Sequence, residues 1–228
     1  FLFMKQAFPQ NMLMQLAVTT SLATIIVTSL SATYVHDRKR AVLWAPVRRI
    51  APGLLIGASL GALLADLVSS GVLRIIFGLF EILVGIQMWL NLKPKAHSVL
   101  PGTLGLMSSG FGIGLLSTLM GIGGGTLTVP FLLWCNVNMR NAVAVSSACG
   151  FPIAFAATIA LVIVGWNEEA IPAHSLGYLY WPAAIIISAM TIFFAPLGAR
   201  LAHYFPIVTL KRIFAVVLVI VGIQMLIS

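Results

Sequence analysis

A run of glycines gives the strongest chemical signal in the sequence. It reads GIGGGTLTVP, with Gly121, Gly123, Gly124 and Gly125 followed by Pro130. Glycine frees the backbone from helical bonding, and unbonded amides persist in a bilayer only inside the protein or along a cavity. A half-helix that starts just after the run would point its N-terminal amides at it, and such amides bind anions. The alternative is close helix packing through small residues.

Two hydroxyl pairs are the next candidates for binding. Ser146 and Ser147 begin a span that is interrupted at Pro152, and a shift of about 126 residues lays Thr20 and Ser21 over them. We expect both pairs to line the same cavity as Gly123 to Gly125. The alternative for any one of them is a hydrogen bond to the backbone of its own helix.

One acidic residue falls at membrane depth. Glu81 lies near the middle of an apolar span, and an ionisable group there is a functional candidate, in this case for proton coupling. A locally hydrogen-bonded structural carboxyl is the alternative. No catalytic constellation, metal site or cofactor motif accompanies it, since the four histidines lie at or near loops (His36, His97, His174 and His203).

The composition requires these residues to be positioned by membrane helices. Of 228 residues, 60% are hydrophobic and only 8% are charged, against about 25% charged in soluble domains. This excludes a water-soluble globular protein and predicts an all-α polytopic membrane protein. The net charge of +8 sits at helix ends, which indicates bilayer topology rather than nucleic-acid binding.

The distribution of charge predicts the topology. Basic residues mark the loops 34–49 and 92–100 as cytoplasmic, whereas the loop 165–176 carries Glu168 and Glu169 and is predicted to be external. These sides agree only if the apolar stretch 101–138 enters the membrane and returns to the same side. We therefore predict a hairpin of two shorter helices with the glycine run near its tip.

An internal repeat predicts two halves of opposite orientation. Shifting the chain by 137 residues aligns Gly57–Leu90 with Phe194–Ile227, with 14 of 34 positions identical. We predict two inverted repeats, residues 1–92 and 93–228, each a broken helix hairpin plus three transmembrane helices. The first hairpin is largely missing from this chain, so about 35 to 40 residues are expected before residue 1, as estimated from the repeat.

The segments GIGGGTLTVPFLLW, NAVAVSSACG and LAVTTSLATIIVTSLSAT resemble the TauE/SafE family of sulfite and organosulfur anion exporters. The resemblance implies a carrier of the bacterial inner membrane that exports sulfite or an organosulfonate. It places the glycine motif on Gly121, Gly123 to Gly125 and Pro130, and the hydroxyl motif on Thr20, Ser21, Ser146 and Ser147.

The sequence thus predicts a secondary transporter for a small sulfur-containing anion, working by alternating access in the lipid bilayer. An anion channel and a non-transporting membrane scaffold stay open as alternatives, and so does a homo-oligomer. An intramembrane enzyme is disfavoured because no nucleophile and base are paired.

Overall fold

The computed structural model describes residues 12–90, 99–168, 171–204 and 207–227. These residues form eight α-helices, a short 3-10 helix at Gly165–Asn167 and one two-stranded hairpin. The bounds are α1 Leu13–Arg38, α2 Trp44–Leu67, α3 Ser70–Trp89, α4 Thr103–Leu119, α5 Gly125–Trp134, α6 Met139–Val164, β1 Ser175–Leu176, β2 Leu179–Tyr180, α7 Trp181–Tyr204 and α8 Ile207–Ile227.

The predicted all-α polytopic membrane class is confirmed. Within the described ranges, four helical stretches are long and apolar enough to cross a bilayer, namely Leu13–Arg38, Trp44–Leu67, Ser70–Trp89 and Met139–Asn167. Large apolar side chains on α3, α7 and α8 are exposed, including Leu83, Phe193 and Ile220. Such faces suit lipid, whereas water would make them costly.

Polar contacts fix the helices at the two opposite ends of the bundle. At one end, the guanidinium of Arg140 at the start of α6 donates to the carbonyl oxygen of Lys39, just after α1 (2.9 Å). We call this the basic end. At the opposite end, Gln15 Nε2 donates to the carbonyl oxygen of Val68 (3.0 Å), and Gln15 Oε1 accepts from Ser70 Oγ. Gln15 thereby fixes the start of α1 to the α2–α3 turn.

Glycines let α2 and α4 lie side by side in parallel. A Cβ on Gly57 would overlap the carbonyl oxygen of Phe111, and one on Gly61 would lie 2.7 Å from that of Leu115. From the other side, a Cβ on Gly110 would lie 2.6 Å from the carbonyl oxygen of Ile50. Both helices therefore start at the basic end, and their backbones touch as small-residue seams allow.

The helices of the predicted repeat have matching lengths. Helices α1 and α6 have 26 residues each, offset by 126, and α2 and α7 have 24 each, offset by 137. Helices α3 and α8 pack antiparallel: Gly78 faces Gly222, and Gly85 faces Ala215. Because Gly222 and Ala215 are the repeat equivalents of Gly85 and Gly78, this contact has two-fold character. The division into two repeats stays a prediction, which these contacts support.

The stretch 101–138 is broken where the glycines lie. Helix α4 ends at Leu119 and α5 begins at Gly125. With 10 residues, α5 is about 15 Å long, half of the roughly 30 Å hydrocarbon core. Helix α5 thus returns toward the basic end, where α6 begins.

One span begins later than the sequence suggests. The apolar run of α7 already begins at Tyr178 in the sequence, but the helix starts at Trp181 because Ser175–Leu176 and Leu179–Tyr180 form an antiparallel hairpin. Gly177 makes its turn with a φ of +53°. We call residues 175–180 the β-hairpin.

Candidate functional site

Helix α4 ends in a Schellman motif that depends on Gly121. The N–H of Ile122 donates to the carbonyl oxygen of Ser117 (2.8 Å), and the N–H of Gly121 donates to that of Thr118 (3.1 Å). Gly121 has a φ of +63°, the left-handed conformation that this motif requires and that glycine adopts without a Cβ penalty. The first glycine therefore stops the helix and satisfies its last carbonyl groups.

The next three glycines start α5 and leave its first amides open. Gly124, with a φ of +75°, caps α5 by accepting from the N–H of Thr128 at 2.8 Å and of Leu127 at 3.2 Å. The N–H groups of Gly125 and Thr126 have no acceptor within the described ranges. They lie at the positive end of the α5 dipole, which attracts anions.

Three hydroxyls lie near the start of α5. Ser117 Oγ and Thr128 Oγ1 are fully buried and have no hydrogen-bond partner among the described residues. A Cβ on Gly124 would lie 3.5 Å from Thr128 Oγ1 and 3.8 Å from Ser117 Oγ, and one on Gly125 would lie 3.6 Å from Ser146 Oγ. We call the amides of Gly125 and Thr126 with the hydroxyls of Ser117, Thr128 and Ser146 the donor cluster.

The donor cluster lies at mid-height of the α1–α6 pair. A Cβ on Gly123 would lie 2.6 Å from Ile25, the thirteenth of 26 residues of α1. A Cβ on Gly150, the twelfth of 26 residues of α6, would lie 3.0 Å from the carbonyl oxygen of Gly123. Transporters built from broken helices hold their substrates at this depth.

The site is polar without being charged. The sequence of α4 and α5 contains no charged residue, and the cation of α6, Arg140, is bonded at the basic end. The part of the chain that the structure describes also holds no group of three or more histidine, cysteine, aspartate or glutamate residues that could bind a metal ion. Recognition there has to come from N–H and O–H donors.

The predicted hydroxyls separate into different roles. Ser21 Oγ donates to the carbonyl oxygen of Gly121 (3.0 Å), which ties α1 to the break. Thr20 Oγ1 accepts from the N–H of Tyr180 (3.2 Å), so it holds the β-hairpin instead. Ser147 Oγ donates to the carbonyl oxygen of Val143 in its own helix (3.0 Å). Of the four, only Ser146 lies beside Gly125 without a bond to another described residue.

Glu81 lies apart from the break. It is half-buried on α3, between the two glycines that pack against α8, whereas α1, α4, α5 and α6 surround the donor cluster.

The sequence did not predict Ser117 and Thr128 as members of the site. Their nearness to the glycines in the chain was the available signal, but single hydroxyls in helices usually bond back to their own helix.

The β-hairpin closes the bundle at the end opposite the basic end. Tyr178 is 4% exposed, and its hydroxyl donates to Asp66 Oδ1 at the end of α2 (2.7 Å). Burial, followed by the hydrogen bond and the negative charge of Asp66, raises the pKa of the Tyr178 phenol. A Cβ on Gly165 would lie 2.8 Å from Tyr178, so the hairpin also packs tightly on the end of α6.

An interrupted helix pair with a mid-height donor cluster, within a bundle of apolar helices, is typical of a polytopic membrane transporter. The chain matches the family described as Sulfite exporter TauE/SafE over residues 2–225. It belongs to this family, which confirms the resemblance seen in the sequence.

Similar proteins agree on the class. A probable membrane transporter protein of Haemophilus influenzae is 32% identical over 220 residues, covering 95% of this chain and 83% of that protein. The probable membrane transporter protein YunE of Bacillus subtilis is 26% identical, covering 95% and 82%. MJ0441 of Methanocaldococcus jannaschii, with the same description, is 25% identical, covering 92% and 78%. These names indicate a transporter rather than an enzyme. No solved structure matches the chain.

Proposed function

We propose that this transporter exports a small sulfur-containing anion, sulfite or an organosulfonate, by alternating access across the bacterial inner membrane. The observation that carries the proposal is the donor cluster, in which two backbone amides and three hydroxyls lie together at the start of α5, whose sequence carries no charged side chain. A sulfur oxyanion offers several acceptor oxygens to such donors. The family description, Sulfite exporter TauE/SafE, supports this substrate class.

The absence of a cation from the sequence of α4 and α5 suits a carrier. Amides and hydroxyls hold an anion without the strong charge pairing that a buried arginine would add. Release of the anion on the far side is then not opposed by very tight binding. An inside-negative potential also favours exit of an anion by about 2.3 kcal/mol per charge per 100 mV, so export needs no nucleotide.

The proposed orientation of the protein in the membrane follows from the distribution of its basic residues. With the basic end cytoplasmic, α5 runs from the break toward the cytoplasm, and the β-hairpin lies on the external side. Movement of one repeat against the other would alternate access. Coupling to protons through Glu81 is a separate part of the proposal, and an unchanged pH dependence of flux in Glu81→Gln would remove it.

The test is flux into liposomes with purified protein and labelled sulfite, sulfoacetate, thiosulfate and sulfate. We expect saturable flux of a sulfur anion in the parent, reduced about tenfold in Ser146→Ala and in Thr128→Val, because each variant loses one hydrogen bond to a charged group. The matched control is Ser108→Ala, because Ser108 is exposed and bonds back to Gly105 of its own helix. That variant should transport normally.

Three results would contradict the proposal. Non-saturating flux without counterflow would indicate a channel. No flux of any of these anions by folded protein would remove the substrate class and favour a scaffold. Equal flux in Ser146→Ala, Thr128→Val and Ser108→Ala would remove the donor cluster as the site.

A further inference from the structure

An apolar groove runs along the outside of the α3–α8 pair near the basic end. Its volume is about 370 Å³, and its walls are the side chains of Ile86, Trp89, Leu90, Val216, Val219 and Ile220. Gly85 and Ala215, both buried, lie at its base. The depth of the groove comes from these small residues: a Cβ on Gly85 would already lie 2.7 Å from Val219.

The groove faces the surroundings of the bundle and not its interior. Ile86 is 47% exposed and Ile220 is 59% exposed, and α3 packs mainly on α8. In a membrane protein, such a face is bathed in lipid acyl chains. A long apolar slot between two helices matches the shape and the chemistry of one such chain.

A cation lies at the end of the groove. The guanidinium carbon of Arg212 is 5.7 Å from the centroid of the Trp89 ring, which itself lines the groove. Arg212 is exposed and has no carboxylate partner within the described ranges. Tryptophan and arginine together are typical of the membrane–water interface, and a basic residue there attracts anionic headgroups.

We propose that this groove binds an anionic phospholipid, with one acyl chain between α3 and α8 and the headgroup phosphate on Arg212. Charge favours an anionic lipid over a second copy of this chain as the occupant of the groove. An anionic lipid supplies the opposite charge to Arg212, whereas a second copy of this face carries the same cation. The inference does not depend on the anion that the transporter carries.

The test uses Trp89 as the reporter, because it lines the groove. The other four tryptophans are replaced by phenylalanine, and the protein is titrated with phospholipid brominated on the acyl chains, which quenches a contacting tryptophan. Brominated phosphatidylglycerol should quench Trp89 at about fivefold lower mole fraction than brominated phosphatidylcholine, the factor for one cation near an anionic surface. Arg212→Gln should abolish the difference.

Two matched controls separate charge from shape. Arg49→Gln removes an exposed cation from α2 near the basic end and should leave the preference intact. Val216→Phe fills the groove and should weaken quenching by both lipids, whereas Val217→Phe changes an exposed neighbour outside the groove and should not. If the four-fold tryptophan variant fails to fold, native mass spectrometry of the unmodified chain and of Arg212→Gln compares the same two lipids.

Two outcomes would overturn the proposal. Equal quenching by the two lipids, unchanged in Arg212→Gln, would show that no headgroup is recognised. Absence of quenching by either lipid, together with disulfide linkage of Val216→Cys between copies, would make the groove an interface between two chains.

Discussion

Replacing Gly124 by alanine tests the structural basis of the donor cluster. Gly124 has a φ of +75°, and a Cβ there would lie 2.5 Å from Ile153 Cδ1 on α6. The left-handed conformation costs a non-glycine residue about 1–2 kcal/mol. Forcing the methyl group against Ile153 adds about 1–3 kcal/mol of overpacking. We therefore expect Gly124→Ala to lower the free energy of unfolding by about 3 kcal/mol.

A double-mutant cycle separates the two contributions. Ile153→Val removes the Cδ1 atom and alone should cost about 0.5–1.5 kcal/mol. In the Gly124→Ala background it should cost less than this or restore stability, because the clash is relieved while the backbone penalty stays. The expected interaction is about 1–3 kcal/mol, within the range for residues in contact.

The assay is unfolding in mixed micelles with increasing sodium dodecyl sulfate, followed by circular dichroism. Gly112→Ala is the control, since Gly112 is in the middle of α4 and a Cβ there meets nothing within 4 Å. It should be neutral or stabilising by about 0.5–1 kcal/mol. If Gly124→Ala is no more destabilising than Gly112→Ala, or if Ile153→Val gives no relief, the described geometry of the break is wrong.

Three further substitutions probe the elements around the site by the same unfolding assay. Gln15→Leu should cost about 1–3 kcal/mol, because the α2–α3 turn loses its buried partner; a neutral result would refute that role. Gly57→Ala should cost at least about 1–3 kcal/mol by overlapping the carbonyl group of Phe111, whereas Gly71→Ala, with open space around it, should be tolerated. Tyr178→Phe should cost about 1.5–3 kcal/mol at neutral pH. Because the raised pKa of this phenol favours its neutral form in the folded state, the parent should lose that advantage as the pH rises above about 10, and equal alkaline profiles would contradict this.

The interrupted helix hairpin of α4 and α5 could be predicted from the sequence because the glycine run and the distribution of charge both indicated it. The run Gly121 to Gly125 cannot continue a helix cheaply, and the loop charges required a return to the same side. The membrane class followed from composition, and the family from the motif segments. The repeat division and the binding residues stay predictions, as do the substrate and the inner-membrane orientation.

The hydrogen-bond partner of each hydroxyl could not be predicted, because residues that are adjacent in the sequence face different directions on a helix. Ser146 and Ser147 are adjacent, yet one lies beside Gly125 and the other bonds within its own helix. Thr20 and Ser21 diverge in the same manner. Only packing decides which hydroxyl meets a neighbouring helix and which returns to the backbone.

The β-hairpin escaped prediction for a different reason. Its strands have two residues each, too few for an alternating pattern, and its aromatic residues continue the apolar run of α7. Its position depends on long-range bonds from Tyr178 to Asp66 and from Tyr180 to Thr20. Such bonds leave no periodic trace in the sequence.

The divergence of Thr20 and Ser21 has a mechanical consequence for the proposed transport cycle. Thr20 holds the β-hairpin, which closes one end of the bundle, and Ser21 holds the carbonyl group of Gly121 at the break. Since both belong to one turn of α1, that turn cannot move relative to the β-hairpin or to the break without straining or breaking one of these bonds. Opening toward the β-hairpin side therefore has to release Thr20 from Tyr180, shift the break with α1, or do both. While both bonds are intact, the position of the β-hairpin is coupled through α1 to the position of the break, whose amides would hold the anion.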